Sequence, residues 1–178
     1  MHARMSTKVL AYCAVLMAIS VILARFLIPM PNDSTRFSLE AVPILLSGIL
    51  FGPVAGAMVG FGADFIGCLF SPYGFNPIFC LPPILYGLSG GLFRPWLKQG
   101  VTAVKLVVTV LLPVVLGSVL YQSATLAYIY YDGLFFEGFL FYLGTRSIQF
   151  AVTMVLDVVL LRLLFLSGLI RRLRIWEN

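Results

Sequence analysis

The chain has 178 residues, of which 61% are hydrophobic and only 11% charged; such a sequence has too little polar surface to cover a soluble globule and is expected to be an integral membrane protein. About 20 apolar residues cross a hydrocarbon core of ~30 Å, so the length allows five or six crossings and excludes an added soluble domain. The formal charge of +5 comes from basic residues scattered over the connections, not from an aromatic-interleaved patch, which excludes nucleic acid as a partner and points to membrane orientation.

The first apolar run predicts a helix from Thr7 to Ile28, with His2 and Arg4 before it and Lys8 in its first turn. It is long and lacks a small-residue cleavage site followed by soluble sequence, so it reads as a retained helix and not as a signal peptide. Ala14 and Ala18 form a small-xxx-small pair that lets another helix approach closely, either within the chain's own bundle or on a partner. Arg25, in the last turn, either snorkels to the interface or points into a vestibule. Residues 28–37, IPMPNDSTRF, carry Pro29, Pro31 and Asn32-Asp33-Ser34 and must be a loop containing Arg36. Asp33 or Ser34 is the candidate cap of the next helix.

A second, short helix is predicted from Ser38 to Phe51 and a third from Val54 to Leu69, joined by Phe51-Gly52-Pro53. Short helices in transport-sized proteins border cavities, because freed backbone groups need protein or water partners. Gly48, Gly52, Gly56 and Gly60 recur every fourth residue, which predicts a tightly packed hairpin. Glu40 near its entry and Asp64 in its second arm are costly in hydrocarbon unless paired or facing a cavity. Residues 71–77, SPYGFNP, offer Tyr73, Phe75 and Asn76 either as an aromatic lid or as part of an interfacial belt.

The fourth helix, from Pro77 to Trp96, contains Pro82-Pro83 and should be kinked and closely packed. The fifth, from Thr102 to Tyr128, holds Pro113 and Gln122, and ends in Tyr128, Tyr130 and Tyr131, which suit a membrane-water interface. Asp132 and Glu137 bracket a short loop before a sixth helix from Gly138 to Ser167, which carries Arg146, Gln149, Asp157 and Arg162; a basic tail starts at Arg171. Cys13, Cys68 and Cys80 lie in apolar runs without a CxxC or Cys/His cluster and read as small buried residues, not disulfides or metal ligands.

The expected fold is therefore an all-α membrane protein, one domain over residues 1–178, built as a bundle of six transmembrane helices. With six crossings, Arg4/Lys8, Arg94/Lys98/Lys105 and Arg162/Arg171/Arg172/Arg174 share one side, the cytoplasm, with both termini. Arg25, Arg36 and Arg146 fall toward the outside. Arg146 lies about 12 Å inside the sixth helix at 1.5 Å per residue, so it should face protein or water. Gln149 is one turn on, and Gln122 has a similar depth on the fifth helix. These groups suit an outward-facing pocket that holds a carboxylate; an internal ion pair of Arg146 with Glu40 or Asp64 is the alternative.

Six helices, the Ala14-xxx-Ala18 pair, the phrase PILLSGILFGPVAGAMVGFGADFIG and the loop SPYGFNPIF together resemble the substrate-binding S components of energy-coupling factor (ECF) vitamin transporters, most of all the folate type. The resemblance implies a subunit of a bacterial plasma membrane that captures a vitamin from outside and docks on a transmembrane coupling subunit bound to two ATP-hydrolysing subunits. It maps the coupling contact onto Ala14 and Ala18, and the ligand-covering loops onto residues 28–37 and 71–77. The chain has no GxxxxGK[ST] sequence, so ATP chemistry is expected elsewhere, and no cofactor or metal is implied. For folate, Tyr73 and Phe75 are candidates to stack on the pterin, Asn76, Gln122 or Gln149 to meet its edge, and Arg25, Arg36 or Arg146 to hold its carboxylates. Glu40 and Asp64 complete the candidate site. Pantothenate, riboflavin and a queuosine precursor are competing ligands. An intramembrane enzyme using Asp64 and Asp157 has only His2 as a histidine and no recognisable nucleophile–base pair. An ion-conducting oligomer would line its pore with Asp64.

Overall fold

The computed structural model describes residues 6–25, 39–70, 74–131 and 133–168, with only the backbone of Arg25. Every regular element among them is helical: α1 (Thr7–Arg25), α2 (Ala41–Phe51), α3 (Pro53–Leu69), α4 (Leu81–Leu92), α5 (Arg94–Lys98), α6 (Ala103–Pro113), α7 (Gln122–Tyr130) and α8 (Phe135–Leu166). Three stretches are long and apolar enough to cross a membrane: Thr7–Ala24, Ala103–Tyr130 and Phe135–Leu166. At 32 residues, α8 is about 48 Å long, more than a hydrocarbon core. By contrast the 11 residues of α2 give about 17 Å, so α2 stops within the bundle.

The densest packing joins α2, α3 and α4. A Cβ on Gly48 or Gly56 would run into the Gly87 carbonyl, one on Gly60 into the Pro83 carbonyl, and one on Gly87 into the Gly56 carbonyl. The glycine spacing therefore serves α4 at least as much as the α2–α3 hairpin. Gly52 departs from the expected packing stripe. It has no neighbour within 4 Å and sits at φ 100°, where it makes the turn between the two helices, a conformation that costs glycine least. Pro53 then opens α3, where its missing N–H is of no consequence. On the outer side α1 packs on α3 and α2 through Cys13, Met17, Ser20 and Val21, with the Met17 side chain against Gly62.

The fourth predicted helix is three pieces. A 3-10 turn over Pro77–Cys80 precedes α4, and α5 follows after Phe93. Asn76 caps the 3-10 turn by accepting from the Ile78 N–H at 3.1 Å. Pro82 and Pro83 thus fall in the first turn of α4, which tolerates them, and the change of axis lies at the 3-10 junction.

The fifth predicted helix is continuous over Ala103–Tyr130, but its centre, Val114–Tyr121, is π-helical. Pro113 is the local cause: without an N–H it leaves the Thr109 carbonyl short of a donor. The Ser89 hydroxyl from α4 fills that vacancy, donating to Thr109 O at 2.6 Å, and both residues are fully buried. Ser89→Ala is therefore expected to cost about 1–3 kcal/mol, the desolvation penalty of an orphaned carbonyl. Thermal unfolding of the purified chain checks this, with Ser147→Ala as the control, since Ser147 is exposed and donates within its own helix.

Candidate functional site

At the pole of the bundle where α2 and α4 begin and α3 ends, these helices and the upper halves of Ala103–Tyr130 and α8 enclose a cavity of about 670 Å³. Pockets for vitamin-sized ligands span roughly 300–1,000 Å³. Six of the residues singled out in the sequence line it: Glu40, Asp64, Asn76, Gln122, Arg146 and Gln149. They come from the head of α2, the last third of α3, the turn before α4, the start of α7 and the face of α8.

Arg146 is 8% exposed. Its Nε donates to the Ser118 carbonyl at 2.9 Å, its Nη2 donates to Gln122 Oε1, and its guanidinium carbon lies 5.1 Å from the Phe150 ring centre. It does not form the ion pair with Glu40 or Asp64 left open by the sequence. The π-helical segment matters here, because it supplies the Ser118 carbonyl and leads into Gln122. A guanidinium carries five N–H donors in a fixed fork. Two protein acceptors take its Nε/Nη2 edge, so the terminal Nη1/Nη2 edge is left to grip a carboxylate with two parallel bonds.

The acids sit on other walls. Asp64 Oδ2 accepts from the Cys80 thiol at 2.9 Å, which ties the end of α3 to the start of α4. The Glu40 carbonyl accepts from Ser20 of α1 at 2.9 Å, fixing the head of α2. Cys13 and Cys80 are buried, Cys68 is half-buried on the cavity wall, and all three are free thiols.

Phe75 is not among the lining residues. Its ring packs edge-on against Phe65, with centroids 5.0 Å apart, and against Phe61. Ala14 and Ala18 are exposed on α1 and take no part in the cavity. Arg36, Tyr73, the Arg25 side chain and the loop 28–37 lie outside the described residues, as does the aromatic stretch 71–73. Sequence reasoning missed four lining groups: Tyr86, Ser118, Phe150 and Thr153. Phe150 and Thr153 follow Arg146 by four and seven residues, so helical periodicity carried them. Tyr86, whose hydroxyl pairs with Ser118 Oγ at 3.1 Å, had no such mark.

Residues 4–168 match the family described as ECF-type riboflavin transporter, S component. The folate transporter FolT of Clostridium novyi (strain NT) is 27% identical over 122 residues, covering 66% of this chain and 70% of that one. A crystal structure of FolT bound with folic acid shares the fold with a TM-score of 0.73 and 27% identity, covering 86% of this chain and 90% of the other.

Proposed function

Because this chain belongs to the family of ECF-type riboflavin transporter S components, we propose that it is the capture subunit that takes folate from outside the cell for an ATP-driven importer. The chain is a multi-pass protein of the plasma membrane and a transport subunit, not an enzyme. The observation that carries the ligand assignment is the cavity's split polarity. Arg146 offers a fork to a carboxylate, while Glu40 and Asp64 offer acceptors on separate helices. Folate matches both: its glutamate tail bears two carboxylates, and its 2-amino-4-oxo edge presents adjacent N–H donors that a carboxylate accepts in parallel. The similarity to a folate-bound FolT supports the same choice.

Riboflavin is the second reading, favoured by the family's description. Its ring edge sets one N–H between two carbonyls, which gives a carboxylate wall little to accept, and its ribityl chain brings no acid for Arg146. Calorimetry on the full chain in lipid nanodiscs is expected to show binding of folic acid with riboflavin and pantothenate inert. Tight riboflavin binding with folic acid inert would reverse the assignment.

In this reading residues 1–178 form one integral membrane domain crossing six times. The short elements α2, α3 and α4 count with the three long ones. Support comes from charge: Lys8, Arg94, Lys98, Lys105 and Arg162 all belong to the pole remote from the cavity, which the positive-inside rule makes cytoplasmic. Both termini then lie inside and the cavity faces out. An ECF-type system includes coupling and ATP-hydrolysing subunits, and docking on the coupling subunit is assigned to α1, where Ala14 and Ala18 leave a shallow exposed strip between Leu10, Val15 and Ile22.

A further inference from the structure

Asp157 has no role in the ligand capture proposed for the cavity. It lies one turn below Thr153, which lines the cavity. It is 0% exposed, and neither of its carboxylate oxygens accepts a hydrogen bond. A carboxylate removed from water without a donor is among the costliest groups a membrane protein carries, so it calls for a positive partner.

Arg146 is not that partner. It stands eleven residues up the same helix, about 16 Å away at 1.5 Å per residue, and its bonds go to Ser118 and Gln122. The hydroxyls at this depth give nothing either. Thr153 donates to the Gln149 carbonyl, Thr109 to the Lys105 carbonyl, and Ser89 to the Thr109 carbonyl. Each has spent its one proton on backbone and keeps only lone pairs. The antiparallel register set by the Arg146–Ser118 bond brings Thr109, nine residues before Ser118, to the level of Asp157.

The other ionisable groups do not change the balance. Glu40 from α2 and Tyr86 from α4 lie within electrostatic reach of Asp157. The one cation of α6, Lys105, donates to the Trp96 carbonyl at 2.7 Å. α7 brings no charge, and Tyr121, just before it, donates to the Ile78 carbonyl. Buried oxygens that can only accept make a site for a small hard cation.

We propose that Asp157 is the counter-charge of a small-cation site beneath the vitamin cavity, taken by a proton or an alkali-metal ion and filled together with an anionic ligand. The inference rests on the reading of the cavity as an anion site. There, two acids face one arginine among the described lining residues, and an incoming dianion adds to that excess. A cation in the low-dielectric floor offsets it.

The test is calorimetry of the full chain in nanodiscs with folic acid as probe. Sodium chloride is exchanged for choline chloride at constant ionic strength, and buffers of different ionisation enthalpy are compared. An alkali-metal site weakens binding about tenfold without sodium, an ordinary coupling between two sites; a proton site makes the heat vary with the buffer. Asp157→Asn should bind folic acid with neither dependence. A wild-type chain indifferent to both, or a variant that keeps the dependence, overturns the proposal. The thermal midpoint of the ligand-free wild-type chain, followed through the same exchange and through pH, decides the matter without folic acid or the variant. A midpoint that moves with sodium or pH while folic acid fails to bind rejects the ligand assignment alone; a midpoint that does not move rejects the cation site.

Discussion

Arg146→Ala is expected to weaken folic acid binding by about 2–5 kcal/mol, roughly 30- to 4,000-fold, because truncating one partner of a buried, hydrogen-bonded charge pair costs that much. The structure gives this residue little to do for stability. Its two protein acceptors, the Ser118 carbonyl and the Gln122 side chain, both belong to cavity-lining residues, where water can replace a lost donor. The thermal midpoint should therefore stay close to wild type while affinity collapses. Arg146→Lys separates charge from geometry. It keeps the cation but loses the planar fork, and forfeiting one of two parallel charge-assisted bonds, at about 1.5 kcal/mol, costs roughly tenfold. Calorimetry in nanodiscs reads both variants. Folic acid bound by Arg146→Ala with wild-type affinity would show that the guanidinium is not the anion's partner.

Gly87→Ala should be the most destabilising single methyl group in the chain. The added Cβ meets the carbonyl of Gly56, backbone against backbone, and no rotamer change relieves it. Overpacking commonly costs 1–3 kcal/mol, and with no side chain able to yield the expected loss is about 3 kcal/mol. Because α3 and α4 carry Asp64 and the Pro82-Pro83 wall, ligand binding should fall with it. Gly144→Ala is the matched control on α8: nothing lies within 4 Å of its Cβ, and replacing an exposed helical glycine gains about 0.5–1 kcal/mol. Thermal unfolding that ranks Gly87→Ala beside Gly144→Ala would contradict the close approach of α3 and α4.

Hydropathy alone located each apolar element to within a few residues, since the energetics of lipid burial depend on local sequence and little else. The breaks were harder. Pro113 reads as a kink in the sequence, yet a hydroxyl from Ser89, twenty residues away in the chain, lets the helix continue as a π-helical turn. The same held for glycine: the four-residue spacing announced close packing, but only the fold showed that Gly52 turns the chain while Gly48, Gly56 and Gly60 receive α4.

Within the site, burial in lipid marked the charged and amide side chains in advance. Glu40, Asp64, Gln122, Arg146 and Gln149 stand out in an apolar sequence because each would be costly facing hydrocarbon. Their convergence on one cavity, the partners that hold the Arg146 fork, and the turning of Phe75 onto Phe61 and Phe65 came from the tertiary structure. A sequence records how expensive each group is to bury, which is a local property. Which groups face one another depends on helix register across contacts tens of residues apart, and that is fixed only when the helices pack.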